Sequence, residues 1–193
     1  AGSRLLIQES IHDEFVDKLV TFAKTAKMGD PMSEDTHVGP VTTYPQFEKV
    51  LGYLEVAREE GVNCVLGGDK ATRPECGEGW FVEPTIYTNV QNSMRIAQEE
   101  IFGPVLAITT YDSEEEAIAL ANDSEYGLSG GVWSSDEDRA MSVARQLRTG
   151  QVSINGGAFN ISAPFGGYKM SGNGRELGAH GLEEFLEVKA IQR

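Results

Sequence analysis

The chain has 193 residues, 40% of them hydrophobic and 24% charged, which is enough for one sizeable core, so one domain over residues 1–193 is the expectation. Its 16 basic and 30 acidic residues give a net charge of -14, the wrong sign for a surface that must attract phosphate backbones or anionic lipid. No nucleic acid and no membrane are therefore expected as partners. Cys64 and Cys76 are too few for a disulfide framework and lack the clustered histidines of a zinc site, so no metal is expected and a reduced, cytoplasmic or matrix-like compartment fits.

In chain order, Arg4-Leu5-Leu6-Ile7-Gln8 has the pattern of a buried strand that begins almost at residue 1. Ser10-Ile11-His12-Asp13 has the form of a capping box, and Ile11, Phe15, Leu19, Phe22, Ala23 and Ala26 follow at helical spacing to about Lys27. A second helix has Thr43 as its cap, Pro45 in its first turn and an apolar stripe of Phe47, Val50, Leu51, Leu54 and Ala57, with Gly61 closing it. The pattern then alternates: strands at 62–66, 105–111, 130–134 and 151–155, helices at 112–122 and 136–148.

Strands separated by helices require crossover connections, which predicts an α/β fold with a mostly parallel sheet and helices on both faces. In such sheets ligand-handling residues collect beyond the carboxyl ends of the strands. Near the end, Leu186, Val188 and Ala190 alternate with Glu187 and Lys189, the pattern of a half-exposed C-terminal edge strand at 185–191 suited to oligomerisation. No linker or internal repeat divides the chain.

Two glycine-bearing loops stand apart. Pro164-Phe165-Gly166-Gly167-Tyr168-Lys169-Met170-Ser171-Gly172-Asn173-Gly174-Arg175-Glu176-Leu177-Gly178 is too rich in glycine to be chosen for packing. Its third glycine is misplaced for a dinucleotide turn and no strand directly precedes Gly172-Asn173-Gly174, so spacing favours a tight structural loop. The second, Gln98-Glu99-Glu100-Ile101-Phe102-Gly103-Pro104, sets two carboxylates beside an aromatic ring and a Gly-Pro turn. Such a segment is either a solvated helix end or a place where one carboxylate accepts from a ribose diol while the ring packs on a flat heterocycle, and the residue types alone admit both.

Glu99-Glu100-Ile101-Phe102-Gly103-Pro104-Val105 resembles the signature of the aldehyde dehydrogenases, and the segment from Pro164 to Gly172 resembles that family's second hallmark. Ala1-Gly2-Ser3-Arg4, Gly39-Pro40-Val41, the segment from Trp80 to Thr85, the segment from Tyr126 to Val132 and the segment from Gly150 to Asn155 also resemble the family in order and spacing, so the likeness covers essentially the whole chain. It implies NAD or NADP as cofactor and an aldehyde as substrate, oxidised to a carboxylic acid through a cysteine thioester. Glu100 matches the carboxylate that binds the nicotinamide ribose, Phe102 the ring beside the nicotinamide, and Gln46 and Lys49 side chains that reach the same ribose. Phe159 and Phe165 fall where the family draws its aldehyde tunnel.

The same likeness places the nucleophilic cysteine two residues before the alanine matching Ala1, with the general base and the Rossmann cofactor domain further upstream. The chain is thus expected to be a partial catalytic domain, inactive alone, with no catalytic residue of its own and a homo-oligomeric (dimeric or tetrameric) parent. Neither Cys64, in a predicted strand, nor Cys76, in a loop, has a base nearby that would activate it. The rival expectations are a coenzyme-A-acylating relative and a non-catalytic binding or structural protein that keeps the fold.

Overall fold

The computed structural model describes residues 2–193, which divide into two compact units, one ending at Ala117 and the other spanning Ile118–Arg193. The division falls inside a helix and not at a linker.

The first unit is built on a four-stranded sheet. Strand β1 (Arg4–Gln8) is followed by a single 3-10 turn and helix α1 (His12–Ala23), then by α2 (Tyr44–Glu59), β2 (Asn63–Leu66), β3 (Thr85–Thr88), α3 (Arg95–Gln98), β4 (Val105–Tyr111) and α4 (Glu114–Asn122). The strand order is β1-β4-β3-β2, with β1 and β3 parallel to β4 and only the edge strand β2 antiparallel to its neighbour. The mostly parallel sheet with covered faces is thus present. Strand β3 is buried at all four positions, as a central strand covered on both sides must be. Its register separates the two cores. Ile86 joins Ile7, Ile108 and Val16 of α1 on one face, while Tyr87, Val105 and Ala107 meet Phe47, Val50, Leu54 and Ala57 of α2 on the other. Leu54 and Val50 are almost wholly buried, each a contribution of about 1.5–3 kcal/mol.

Helix α2 forms as its sequence predicts. The Thr43 hydroxyl accepts from the Gln46 N–H at 3.4 Å, Pro45 sits in the first turn, and Gly61 takes φ +71 just past the end. Helix α1 departs from expectation in three ways. Its cap is Ile11 with no side-chain hydrogen bond, because residues 9–11 form the 3-10 turn that a capping box would have to replace. Its buried face is Val16 with Leu19, Val20 and Ala23, whereas Ile11, Phe15 and Phe22 are exposed. Leu19 and Ala23 of the expected stripe do pack against this core, joined there by Val16 and Val20. The helix also ends at Ala23, short of Lys27.

The second unit contains β5 (Tyr126–Gly127), β6 (Ser129–Val132), α5 (Glu137–Gln146), β7 (Gln151–Ile154), β8 (Tyr168–Lys169) and α6 (Gly178–Glu183). Strands β6 and β7 are parallel and joined across α5, which Asp136 caps by accepting from the Arg139 N–H at 3.0 Å. Asn155, with φ +51, fastens the end of β7: its amide oxygen accepts from the Ser134 N–H and its amide nitrogen donates to the Ser134 carbonyl, both at 2.9 Å.

The predicted C-terminal edge strand does not form within this chain. Residues 186–193 pair with no strand among the described residues, and Val188 is fully exposed. Alternation alone cannot hold a strand, whose backbone needs a ladder partner.

Candidate functional site

The signature segment follows α3. Glu99 leaves that helix in extended backbone (φ -106, ψ 150), and the two adjacent carboxylates then differ completely. Both oxygens of Glu99 are held: Arg95 donates from Nε at 2.8 Å and from Nη2 at 3.0 Å, and the Tyr53 hydroxyl donates at 2.7 Å. These donors, Arg95 first, bring the Glu99 carboxyl down to about 2. The Glu100 side chain is exposed and has no hydrogen-bond or ion-pair partner among the described residues.

Phe102 adopts φ +54, a left-handed conformation unusual for an aromatic residue, and its side chain is 70% exposed. Two side chains of α2 hold the backbone there. The Gln46 amide nitrogen donates to the carbonyls of Ile101 (2.8 Å) and Phe102 (3.2 Å), and Lys49 Nζ donates to the Glu100 carbonyl at 2.8 Å. Lys49 also lies 5.7 Å from the centre of the Phe102 ring. The sequence-predicted quartet of Gln46, Lys49, Glu100 and Phe102 is therefore brought together. Gln46 and Phe102 line a groove of about 510 Å³ with the loop from His37 to Thr42 and Pro104.

The donor set fits a ribose diol. Glu100 offers an unengaged acceptor, and Lys49 has further N–H groups beyond the one given to the Glu100 carbonyl. Gln46 has committed its amide nitrogen to the loop, so the group left to it is its amide oxygen. Phe102 presents an open aromatic face beside them.

Within residues 118–193, Phe159 and Phe165 meet edge to face, with ring centroids 5.9 Å apart. Phe165 is pinned by a two-way backbone pairing with Glu176 (2.7 and 2.6 Å), while Phe159 is 60% exposed. The glycine-rich loop behaves as a structural loop. Lys169 Nζ donates to the carbonyls of Asn122 and Ser124, and Arg175 Nη1 to those of Gly167 and Gly174. These cations satisfy backbone groups, so no phosphate cradle is formed by them.

Both thiols are held above the ordinary cysteine range. Burial pushes the Cys76 thiol up, and the thiol of Cys64, an exposed residue that donates to the Leu66 carbonyl at 3.3 Å, is also raised, first by partial desolvation. Tyr53, Arg95 and Glu99 are the residues that sequence reasoning missed. The available signal was the spacing of Gln46, Lys49 and Tyr53 along one face of α2, with Arg95 one helical turn before Glu99.

The sequence profile described as the aldehyde dehydrogenase family matches residues 1–191. The chain belongs to the aldehyde dehydrogenase family. It is 49% identical to the betaine aldehyde dehydrogenase of Bacillus subtilis (strain 168) over 194 residues, covering 100% of this chain and 40% of that protein. The mitochondrial aldehyde dehydrogenase of Equus caballus is 44% identical over 99% of this chain and 38% of its own length. Among solved structures, apo betaine aldehyde dehydrogenase from Staphylococcus aureus superimposes with a TM-score of 0.95 at 47% identity, over 98% of this chain and 38% of that one. The Mycobacterium tuberculosis aldehyde dehydrogenase complexed with NAD+ gives 0.90 at 45% identity, over 95% and 38%. This aldehyde dehydrogenase chain spans about two fifths of the length of these relatives.

Proposed function

We propose that the chain is the part of an NAD(P)-dependent aldehyde dehydrogenase that holds the nicotinamide ribose and lines the aldehyde tunnel. The observation that carries this reading is the unpartnered Glu100 carboxylate beside the exposed, left-handed Phe102 ring at the groove that Gln46 also lines. The NAD+ bound in the relative from Mycobacterium tuberculosis supports it. When bound, the cofactor supplies the acceptor for the hydride that leaves the aldehyde carbon.

The chain's own residues orient and shield. Glu100 accepts from the ribose hydroxyls and fixes the sugar, while Lys49 donates to it with the N–H groups not given to the loop. Phe102 packs against the nicotinamide and limits its tilt, which matters because a small misalignment of reacting atoms costs much of the rate. Phe159 and Phe165 give the aldehyde an apolar wall and keep water away until it is needed. The nucleophile and the general base lie outside these 193 residues, and the parent assembles as a homo-oligomer.

The test is to express the chain with the family's upstream half and supply propionaldehyde with NAD or NADP, following reduced cofactor by absorbance and the product by chromatography. Reduced cofactor with stoichiometric carboxylic acid is the expected result. Turnover only in the presence of coenzyme A, with a thioester as product, favours the acylating relative, and no turnover or cofactor binding favours a non-catalytic protein. The 193 residues alone are expected to be inactive, and turnover abolished by Cys64→Ser or Cys76→Ser would overturn the placement of the nucleophile.

A further inference from the structure

Helix α2 grips the signature segment at successive points. Gln46, Lys49, Tyr53 and Glu60 recur along the helix, and their partners run the opposite way along the chain: the Ile101 and Phe102 carbonyls, the Glu100 carbonyl, the Glu99 carboxylate and the Arg95 N–H, the last donating to Glu60 Oε1 at 2.7 Å. The resemblance to the family singles out only the first two of these side chains. From this ladder we propose that Tyr53 and Arg95, acting through Glu99, are positioning residues that aim the Glu100 carboxylate at the cofactor ribose. The proposal rests on the reading of Glu100 given above.

The argument is geometric. Glu99 is in extended backbone, where neighbouring side chains point to opposite sides. Holding the Glu99 carboxylate against Tyr53 and Arg95 therefore turns the Glu100 side chain away from α2, and Lys49 fixes the intervening peptide by its carbonyl. Three donor contacts lock Glu99 while Glu100 has none, so the pair divides its labour: one carboxylate is an anchor and the other a ligand. A free Glu99 would let the segment rotate, and the two carboxylates would compete for the same donors.

The test uses the protein carrying both the upstream cofactor half and this chain, with NAD and ADP as calorimetric probes, since ADP lacks the nicotinamide ribose. Tyr53→Phe removes one hydroxyl and keeps the ring, Glu99→Ala removes the anchor, and Glu100→Gln serves as the control for the ribose contact. We expect Tyr53→Phe and Glu99→Ala each to weaken NAD roughly three- to tenfold, the scale of one partly lost charge-assisted hydrogen bond, with ADP affinity unchanged. The double variant should be no worse than Glu99→Ala alone. Unchanged NAD affinity in Tyr53→Phe and Glu99→Ala, with Glu100→Gln weakened, overturns the positioning role and leaves the ribose reading standing. Equal loss for NAD and ADP also overturns it, as general damage. If Glu100→Gln binds NAD normally, the ribose reading fails and the positioning role with it.

Discussion

Lys49 donates to the backbone carbonyl of Glu100 at 2.8 Å, so a side chain expected to reach a ribose already holds the residue expected to share that ribose. The contact joins α2, a core helix, to a loop that Gln46 and Tyr53 of the same helix also hold. It makes Lys49 a brace, and it ties the position of the loop to the packing of Val50 and Leu54 on the same helix.

Glu99 gives a pH signature. Its folded carboxyl sits near 2, below the ordinary 4.5, so the stability it contributes is present above about 4.5 and is lost as pH falls toward about 2. The side chain is 40% exposed, and screening limits the contribution to about 0.5–1 kcal/mol. Urea unfolding of the chain and of Glu99→Gln should therefore differ at neutral pH and converge across that window. A gap that persists below it would assign the effect to packing and not to charge.

Gly150 belongs to a backbone crossing. A Cβ there would overlap the carbonyl oxygen of Gly166, tying the Gly150-Gln151-Val152 entry into β7 to the glycine-rich loop. Gly150→Ala should cost about 3 kcal/mol and shift the denaturation midpoint accordingly. A midpoint within error of the original would mean that the crossing is loose.

The C-terminal tail bears Phe185, Leu186, Val188 and Ile191, all more than half exposed. If the full-length protein is the homo-oligomer proposed above, deleting residues 187–193 from it is expected to shift its sedimentation to a smaller species, since an unpaired alternating segment can take its backbone partners from another chain. An unchanged oligomer would remove the tail from the interface.

Much of this was legible in the residues. Thr43, Pro45 and Gly61 delimit α2 because cap chemistry is local, and the parallel sheet follows from alternating strands and helices. The face that α1 buries was legible only in part: Leu19 and Ala23 pack as expected, but Val16 and Val20 join them in place of Ile11, Phe15 and Phe22, since both sets are apolar and recur at helical spacing. Strand β3 has no period to detect, since all its positions are buried. At the site, Glu100 and Phe102 stood out by motif. The anchoring of Glu99 did not, because the Tyr53 hydroxyl comes from 46 positions earlier and that distance closes only on folding.

The most direct measurement is a crystal structure, with NAD bound, of this chain joined to the upstream part of an aldehyde dehydrogenase. The account predicts a Glu100 carboxylate oxygen within about 3 Å of a nicotinamide-ribose hydroxyl, with the Phe102 ring against the nicotinamide and Glu99 still on Tyr53 and Arg95. NAD bound with the Glu100 carboxylate turned to solvent, and the ribose held by other groups, would contradict it.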